Sequence, residues 1–286
     1  MAKIKLAAFA DEADGSLLGQ IAALNNNGVY ALELRTVAGK NVADFTVSES
    51  KEYFKSLSDN GISVWSIGSP LGKVNIDVDF NAYLDKVKRV CETANIFNAK
   101  KIRTFSFFNA YGERNRVMDY LSKMVEVACS FNVTLCHENE KEIYGDTADR
   151  VQDIMDNVKG LKFIYDPANY LQVGEDADFT LNKFHAVTDY FHIKDVIKAT
   201  DELVPAGEGD GKIDKLVNMI DRDVTLTLEP HLAVFDAFKS IDNTQMKHKF
   251  HFKDNVEAFS AAVTALKNIL LNNGYVENNG VFVKGD

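Results

Sequence analysis

The chain alternates short apolar runs with longer segments of helical periodicity. Eight short runs are rich in branched or aromatic residues, at 4–9, 30–35, 62–67, 101–107, 133–138, 162–166, 190–194 and 224–229. Between them, apolar residues recur every three or four positions, as at Leu17, Ile21 and Leu24, and this spacing is typical of amphipathic helices. The pattern therefore predicts eight β-strands separated by helices.

Glycine marks several of the predicted helix ends. Asn27-Gly28, Asn60-Gly61 and Lys159-Gly160 each follow a helical segment, where a left-handed cap favours glycine. Strands that alternate with helices are expected to be parallel and joined by right-handed crossovers. Eight such units without a break in composition favour closure into a (β/α)8 barrel, and an open doubly wound sheet is the alternative.

One domain over residues 1–286 is the simplest interpretation. A length of 286 residues is close to the roughly 250 typical of such a barrel, and no linker-like or low-complexity segment interrupts it. Residues 231–254 form a long connection that predicts irregular structure near the barrel mouth, followed by a last helix at 255–271. The tail, 272–286, predicts a peripheral strand or a frayed end.

The charge and the cysteine content of the chain indicate which binding partners and which compartment to expect. The net charge of −10, with no run of four basic residues, argues against a nucleic-acid surface. No segment is long and apolar enough to predict a membrane span or a signal-peptide core. Three cysteines without CxxC spacing indicate a reducing compartment. We therefore expect a cytoplasmic enzyme. The sequence is compatible with a homo-oligomer.

Four consecutive predicted strands carry a side chain that can bind a metal ion. Glu138, Asp166 and Glu229 end their strands, and His192 lies within the strand between the last two. Reactive groups of α/β barrels lie at these C-terminal strand ends, and three carboxylates gathered there repel one another unless a cation joins them. The sequence therefore predicts one divalent ion. An oxygen-rich site favours Mn²⁺, Mg²⁺ or Co²⁺, with Zn²⁺ as a further candidate.

Each of these residues also has a purely structural interpretation. An aspartate before Pro167 is commonly a helix N-cap, and a single strand histidine is commonly a hydrogen-bonded core residue. Glu138 and Glu229 could pair with Lys194 or Arg35. The metal interpretation is preferred because four such residues recur at equivalent depth on neighbouring strands.

An ordered set of short motifs resembles the xylose isomerase-like barrels of the sugar phosphate isomerase/epimerase superfamily. The motifs are Ala-Leu-Glu-Leu-Arg (31–35), Gly-Ser-Pro-Leu-Gly-Lys (68–73), His-Glu-Asn-Glu (137–140), Tyr-Asp-Pro-Ala-Asn (165–169), His-Ile-Lys-Asp (192–195), Pro-Ala-Gly-Glu-Gly-Asp-Gly (205–211) and Leu-Glu-Pro-His (228–231). The resemblance implies a metal tetrad of Glu138, Asp166, His192 and Glu229. It also implies that the two glutamates move the substrate proton.

The chain departs from two branches of that superfamily. Where the 3-epimerases have a substrate-binding histidine and an arginine, this chain has Asn169 and Lys194, so a 3-epimerase assignment is not made. The apurinic endonucleases need more histidine ligands than the six present here provide.

Further residues are candidates for substrate contact. Lys194 shares the strand face of His192 by alternation and is the best of them, with Asn169 nearby. Arg35 could touch substrate or form an internal ion pair, and Lys73 could anchor an anion or lie on the surface. His231 is expected to point towards the mouth. Glu208 lies in a glycine-rich stretch that predicts a lid or a simple turn.

The leading functional hypothesis is a metal-dependent isomerase or epimerase acting on a small carbohydrate: a sugar, a sugar phosphate or a hydroxy-keto acid. A metal-dependent lyase or dehydratase on the same scaffold is the second hypothesis. A metal-stabilised sugar-binding protein without turnover is the third. A shared fold does not fix the reaction.

Overall fold

The computed structural model describes residues 2–233 and 247–285. In this part of the chain the strands, in order, are β1 (Lys3–Ala8), β2 (Ala31–Leu34), β3 (Thr36–Val37), β4 (Lys40–Asn41), β5 (Ser63–Leu71), β6 (Lys101–Thr104), β7 (Thr134–Glu138), β8 (Lys162–Tyr165), β9 (Tyr190–Ile193), β10 (Asp195–Ile197), β11 (Glu202–Val204), β12 (Val224–Leu228), β13 (Lys247–His248), β14 (Tyr275–Asn278) and β15 (Val281–Lys284).

The α-helices of the same residues are α1 (Leu17–Asn26), α2 (Val47–Asp59), α3 (Phe80–Ile96), α4 (Arg114–Ser130), α5 (Ala148–Asn157), α6 (Pro167–Gln172), α7 (Ala177–Phe184), α8 (Ile213–Asn218) and α9 (Asn255–Asn272). Several of these helices follow a residue whose side chain caps the first turn. Thr46, for example, accepts a hydrogen bond from the backbone of Glu49 while the Glu49 carboxylate accepts one from the Thr46 backbone, which satisfies amides that a helix start leaves unpaired.

Eight parallel strands close on themselves. Their order is β1, β2, β5, β6, β7, β8, β9 and β12, and β12 pairs back to β1 with Leu226 opposite Leu6. This closure confirms the predicted (β/α)8 barrel and excludes the doubly wound alternative, in which two edge strands stay unpaired.

The main apolar core lies between the barrel and its helices. Residues of β1 show the alternation: Ile4, Leu6 and Ala8 belong to the core that the helices cover, so Lys5 and Ala7 face the lumen because successive strand side chains point to opposite faces. The same alternation decides which side chains of every barrel strand can meet inside.

A small apolar layer fills the lumen beneath the C-terminal strand ends. Cys136, Ile164 and Tyr190 form a separate cluster with Trp65 packed against it. The first three lie two positions before Glu138, Asp166 and His192, so each pair shares one strand face. The apolar layer therefore supports the predicted metal residues from below.

The end of the chain joins the barrel. Strands β14 and β15 form an antiparallel hairpin, and β15 pairs with the first half of β1. The tail, for which the sequence predicts a peripheral strand or a frayed end, thus forms two strands in the described residues. Residues 234–246, most of the long connection predicted after the last barrel strand, lie outside the described residues. No helix in the described part of the chain is long and apolar enough to cross a membrane.

Candidate metal centre

The four residues predicted as metal ligands lie together at the C-terminal end of the barrel. Glu138 ends β7, Asp166 follows β8, His192 lies in β9 and Glu229 follows β12. All four are at most 3% exposed. One possible ligand atom from each lies within 4.8 Å of the others. Closure of the barrel brings together residues that are far apart in the sequence. Glu138 and Glu229, for example, are separated by 91 positions.

The two oxygens of Asp166 have different surroundings. Its Oδ1 accepts a hydrogen bond of 2.9 Å from the backbone N–H of Asn169 and caps α6. Its Oδ2 lies 2.9 Å from Nζ of Lys194. The helix cap therefore fixes the carboxylate, and the second oxygen is held in the cluster beside the ammonium group.

His192 directs its two ring nitrogens to different partners. Nδ1 lies 3.1 Å from Oε1 of Glu138 and 3.0 Å from Oε2 of Glu229. Nε2 lies 3.2 Å from Oε2 of Glu33, whose other oxygen accepts a 2.9 Å hydrogen bond from the hydroxyl of Tyr190. If Nε2–H donates to Glu33, the lone pair of Nδ1 faces the cluster, which is how a carboxylate partner prepares a metal-binding histidine.

The surroundings of His192 favour its protonated form when no metal is bound. Burial by itself lowers the pKa of the imidazole, but the nearby carboxylates of Glu138, Glu33 and Glu229 outweigh it and raise the pKa well above its ordinary value. The imidazolium thus supplies positive charge at the place where three carboxylates meet.

Two buried arginines hold the glutamates of the cluster. Arg103 Nη1 lies 3.2 Å from Oε2 of Glu138 and 3.3 Å from Oε1 of Glu229. Arg35 Nη1 lies 2.8 Å from Oε1 of Glu229, and the same guanidinium binds both oxygens of Asp11 at 2.9 Å. Planar guanidinium groups suit such paired contacts. Both carboxylates are therefore held in place from the side of β2 and β6.

The two guanidiniums share one aromatic ring. Their Cζ atoms lie 4.3 Å (Arg35) and 4.9 Å (Arg103) from the ring centre of Phe9, within the range of cation–π contact. Gly68 makes room for this ring, since a Cβ at that position would lie 2.4 Å from Phe9 Cε1. The Gly-Ser-Pro-Leu-Gly-Lys motif is thus tied to the geometry of the site.

Lys194 and Asn169, which the sequence predicts as substrate contacts, lie beside the cluster. Lys194 Nζ donates a 2.7 Å hydrogen bond to Oδ1 of Asn169, and Asn169 Nδ2 donates one of 3.3 Å to Oε1 of Glu138. Burial lowers the pKa of Lys194, but Asp166, Glu229 and other acids outweigh it and raise the pKa. The ammonium is therefore charged at neutral pH, at the edge of the cluster.

The site carries more negative than positive charge. Among the described residues its buried acids outnumber its buried cationic groups by two when the His192 imidazolium is counted. The acids are Asp11, Glu12, Glu33, Glu138, Asp166 and Glu229, and the cationic groups are Arg35, Arg103, Lys194 and His192.

Two acids of the site have raised pKa values. Burial, with nearby carboxylates, raises the pKa of Asp166 to about 7 and that of Glu12 to about 8. Oε2 of Glu229 lies 3.0 Å from Nδ1 of His192, and Oδ2 of Asp166 lies 2.9 Å from Nζ of Lys194. The donor set and its charge fit one divalent cation.

The remaining predicted contacts divide into two groups. His231 lies at the rim, where its Nε2 is 3.5 Å from Glu12 and from Glu229. Lys73 is paired with Glu140 at 2.8 Å and lies over the ring of Phe105. Glu208, in contrast, is an exposed residue of a turn.

The turn that carries Glu208 is fixed rather than free to close. The carboxylate of Asp195 accepts hydrogen bonds from the backbone of Gly207, Gly209 and Gly211. The structure thus favours the simple turn over the lid and does not bring Glu208 to the cluster.

Three charged residues of the site, Arg103, Asp11 and Glu12, were not predicted from the sequence. Arg103 lies in an apolar strand, two positions after Lys101. Its signal in the sequence is a charged side chain at a position that faces the lumen. Asp11 and Glu12 lie three and four residues after the end of β1. Their signal in the sequence is this position in the loop after a barrel strand, where reactive groups of such barrels lie.

The sequence matches the family described as xylose isomerase-like TIM barrel over residues 21–244. Comparison with curated proteins gives no match. The matched region includes all four candidate ligands.

Solved structures with the same fold include enzymes of more than one reaction class. The chain is similar to the probable 3-DHS dehydratase AsbF from Bacillus anthracis, with a TM-score of 0.69, 17% identity and coverage of 92% of this chain and 99% of that one. It is similar to the IOLI protein with a bound zinc atom, with a TM-score of 0.70, 14% identity and coverage of 94% and 99%. It is also similar to D-psicose 3-epimerase with D-tagatose from Clostridium cellulolyticum H10, with a TM-score of 0.69, 12% identity and coverage of 93% and 98%.

Proposed function

Because the chain belongs to the xylose isomerase-like TIM barrel family, we propose that it is a divalent-metal-dependent isomerase or epimerase acting on a small carbohydrate or hydroxy-keto acid. The observation that carries the proposal is the convergence of Glu138, Asp166, His192 and Glu229 within 4.8 Å. It is supported by the excess negative charge around them, which a divalent cation would offset.

These four residues would hold the ion, with His192 contributing Nδ1. Three carboxylates and one imidazole form an oxygen-rich set that suits Mn²⁺, Mg²⁺ or Co²⁺. Zinc is a further candidate, since the similar IOLI protein has a bound zinc atom. When bound, the ion would acidify the C–H next to the substrate carbonyl and stabilise the charge that forms when the proton leaves.

Glu138 and Glu229 are proposed to transfer the substrate proton. Both carboxylates lie in the cluster, and Arg103 Nη1 contacts both, at 3.2 and 3.3 Å. A carboxylate held at a fixed position within reach of a C–H bond can accept the proton and return it. Arg35 further fixes Glu229 at 2.8 Å, so neither group has to reorganise during the reaction.

The proposed substrate contacts are the polar groups at the edge of the cluster. Lys194 and Asn169 lie next to Asp166 and Glu138, where they could bind a hydroxyl or carbonyl oxygen of the substrate. His231 lies next to Glu229, and Lys73 lies further out beside Glu140. Glu208 is left out of this set because it is exposed in its turn.

A dehydratase is the second candidate. The similarity to the probable dehydratase from Bacillus anthracis supports it, and the same first step, removal of a proton next to a carbonyl, would begin both reactions. The second step differs, because an isomerase returns the proton whereas a dehydratase expels hydroxide from the neighbouring carbon. Proton NMR of the products separates them.

Turnover in deuterated buffer tests the proposal. Protein treated with a chelator should be inactive towards a panel of ketoses, ketose phosphates and hydroxy-keto acids, and Mn²⁺ or Co²⁺ should restore activity together with deuterium incorporation at carbon. Full activity of the chelated protein would overturn the role of the metal. Ligand binding without deuterium incorporation would indicate a binding protein instead.

A further inference from the structure

A cavity of about 480 Å³ opens at the end of the barrel opposite to the metal residues. Its volume lies within the roughly 300–1,000 Å³ of small-molecule sites. The charged side chains that line it come from the N-terminal strand ends and the turns before them. They are Lys3, Lys5, Lys101 and Arg222, with Asp189 and Asp223.

The charges around this cavity are predominantly positive. Lys101 is paired with Asp189, and Asp223 accepts a 2.9 Å hydrogen bond from the backbone N–H of Lys3. Four basic and two acidic groups leave an excess of two positive charges, in a chain whose net charge is −10. The cavity therefore differs in sign from the chain as a whole.

Lys5 is the group with most to gain from an anion. No carboxylate of the described residues pairs with its ammonium group, which lies 5.6 Å from the ring centre of Trp65. Lys5 is partly buried, and burial lowers its pKa, since water is displaced from the charge. The ammonium group of Lys5 therefore offers the cavity three hydrogen-bond donors, and no carboxylate of the described residues is paired with it.

Arg222 adds a fixed cationic group at the same end, and Trp65 adds an aromatic wall. Arg222 Nη2 donates to the backbone oxygens of His185 and Thr188, at 2.6 and 2.7 Å. Its nearest described carboxylate, Asp221, is 3.6 Å away and mostly exposed. Trp65 lines the cavity, and its ring lies near the ammonium groups of both Lys5 and Lys101, at 5.6 and 5.0 Å.

We propose that this cavity binds a phosphate group, either as the free ion or as part of a small phosphate ester, with Lys5 as its principal contact. Two excess positive charges match a dianion, and charge-assisted hydrogen bonds to phosphate are strong. Its volume of about 480 Å³ has the size for a small molecule. This site is independent of the metal centre and of the function proposed for it.

The single tryptophan of the chain gives a direct assay, because Trp65 lines this cavity. Metal-free protein is titrated with sodium phosphate or glycerol 3-phosphate while fluorescence is recorded, with sodium chloride at matched ionic strength as the reference. Phosphate should give a saturable change that chloride does not. Tighter binding of the ester than of the free ion would identify an ester as the preferred ligand.

Variants locate the binding site. Lys5→Met should weaken phosphate binding by roughly tenfold or more, the size expected for a lost charged hydrogen bond. Lys51→Met, at an exposed position of α2, is the matched control and should bind as the unmodified chain does. If Lys73→Met, at the metal end, abolished the response instead, phosphate would bind there and the proposal would be overturned.

If Lys5→Met itself changes the fluorescence of Trp65, thermal unfolding gives a second measure of phosphate binding. Phosphate at tenfold excess over its dissociation constant should raise the Tm of the unmodified chain by about 2 °C, as estimated from linkage and chain length. It should leave Lys5→Met unchanged. An equal rise in both proteins would show that phosphate binds without Lys5, and no saturable response to phosphate in either assay would show that the cavity does not bind it; either result would overturn the proposal.

Discussion

Replacing Glu33 with glutamine should weaken metal binding although Glu33 is not among the four proposed ligands. One oxygen of Glu33 accepts from the Tyr190 hydroxyl at 2.9 Å, and the other faces Nε2 of His192 at 3.2 Å. Glutamine offers one acceptor oxygen in place of two. If that oxygen stays with Tyr190, the amide NH2 faces Nε2, so the histidine must carry its proton on Nδ1, the atom that faces Glu138 and Glu229.

The size of the effect is set by this change of tautomer. Loss of the carboxylate partner of a metal-binding histidine typically costs roughly 10- to 100-fold in affinity, or about 1.4–2.7 kcal/mol. Tyr190→Phe is the matched control, because it removes the donor to one oxygen of Glu33 and leaves the other facing His192. It should cause the smaller loss of the two.

Isothermal titration of chelated protein with Mn²⁺ measures both variants, and circular dichroism checks that each is folded. The expected order of affinity is the unmodified chain, then Tyr190→Phe, then Glu33→Gln. Affinity of a folded Glu33→Gln variant equal to that of the unmodified chain would refute the proposal that Nδ1 of His192 binds the metal with Glu33 behind it.

Three further predictions concern the site and the fold. Glu229→Gln should reduce kcat by about 10²- to 10⁴-fold, as expected for loss of a general base, and should suppress deuterium incorporation equally; unchanged exchange would remove Glu229 from the proton transfer. Because the pKa of His192 is raised in the metal-free protein, a metal ion must displace a proton, so affinity should increase with pH by up to about tenfold per unit for each proton displaced. Titrations at two pH values check this, and pH-independent binding would contradict it. Gly72→Ala should destabilise the fold by about 3 kcal/mol or more, because φ is +87° and the new Cβ would lie 2.1 Å from the carbonyl oxygen of Phe105. Urea unfolding measures the loss against Gly112→Ala, where an added Cβ meets nothing within 4 Å, and equal stability of the two variants would show that the backbone relaxes.

The barrel could be predicted because its signal is repeated. Each strand is short and apolar, each helix is amphipathic, and the alternation recurs eight times, so an error at one boundary does not change the topology. Closure itself depends on the pairing of β1 with β12, across more than two hundred residues. No local pattern encodes that pairing, and it was inferred from the number of units.

Strand boundaries were less predictable where backbone conformation decides them. The third barrel strand extends to Leu71 although the prediction ended it at residue 67, before a glycine and a proline. The fourth ends at Thr104 rather than at residue 107, and Phe107 has a φ of +72°. A positive φ in a phenylalanine depends on tertiary contacts and has no signal in the sequence.

The four candidate ligands could be found from strand ends, but their partners could not all be found in the same way. Glu33 and Arg35 lie two positions apart on one strand, whereas their contacts with His192 and Glu229 join strands that are not neighbours in the barrel. Arg103 contacts two of the ligands from inside a strand that looks ordinary. Such contacts across the lumen depend on how the barrel closes.

The position of the metal ion can be measured in crystals soaked in Mn²⁺, by an anomalous difference map. We expect one peak, bounded by Glu138, Asp166, Nδ1 of His192 and Glu229. A second group of possible ligand atoms, from Glu12, Glu229 and His231, also lies within 4.8 Å and provides the competing position. A peak at that second group alone, or no peak at saturating Mn²⁺, would contradict the proposed metal centre.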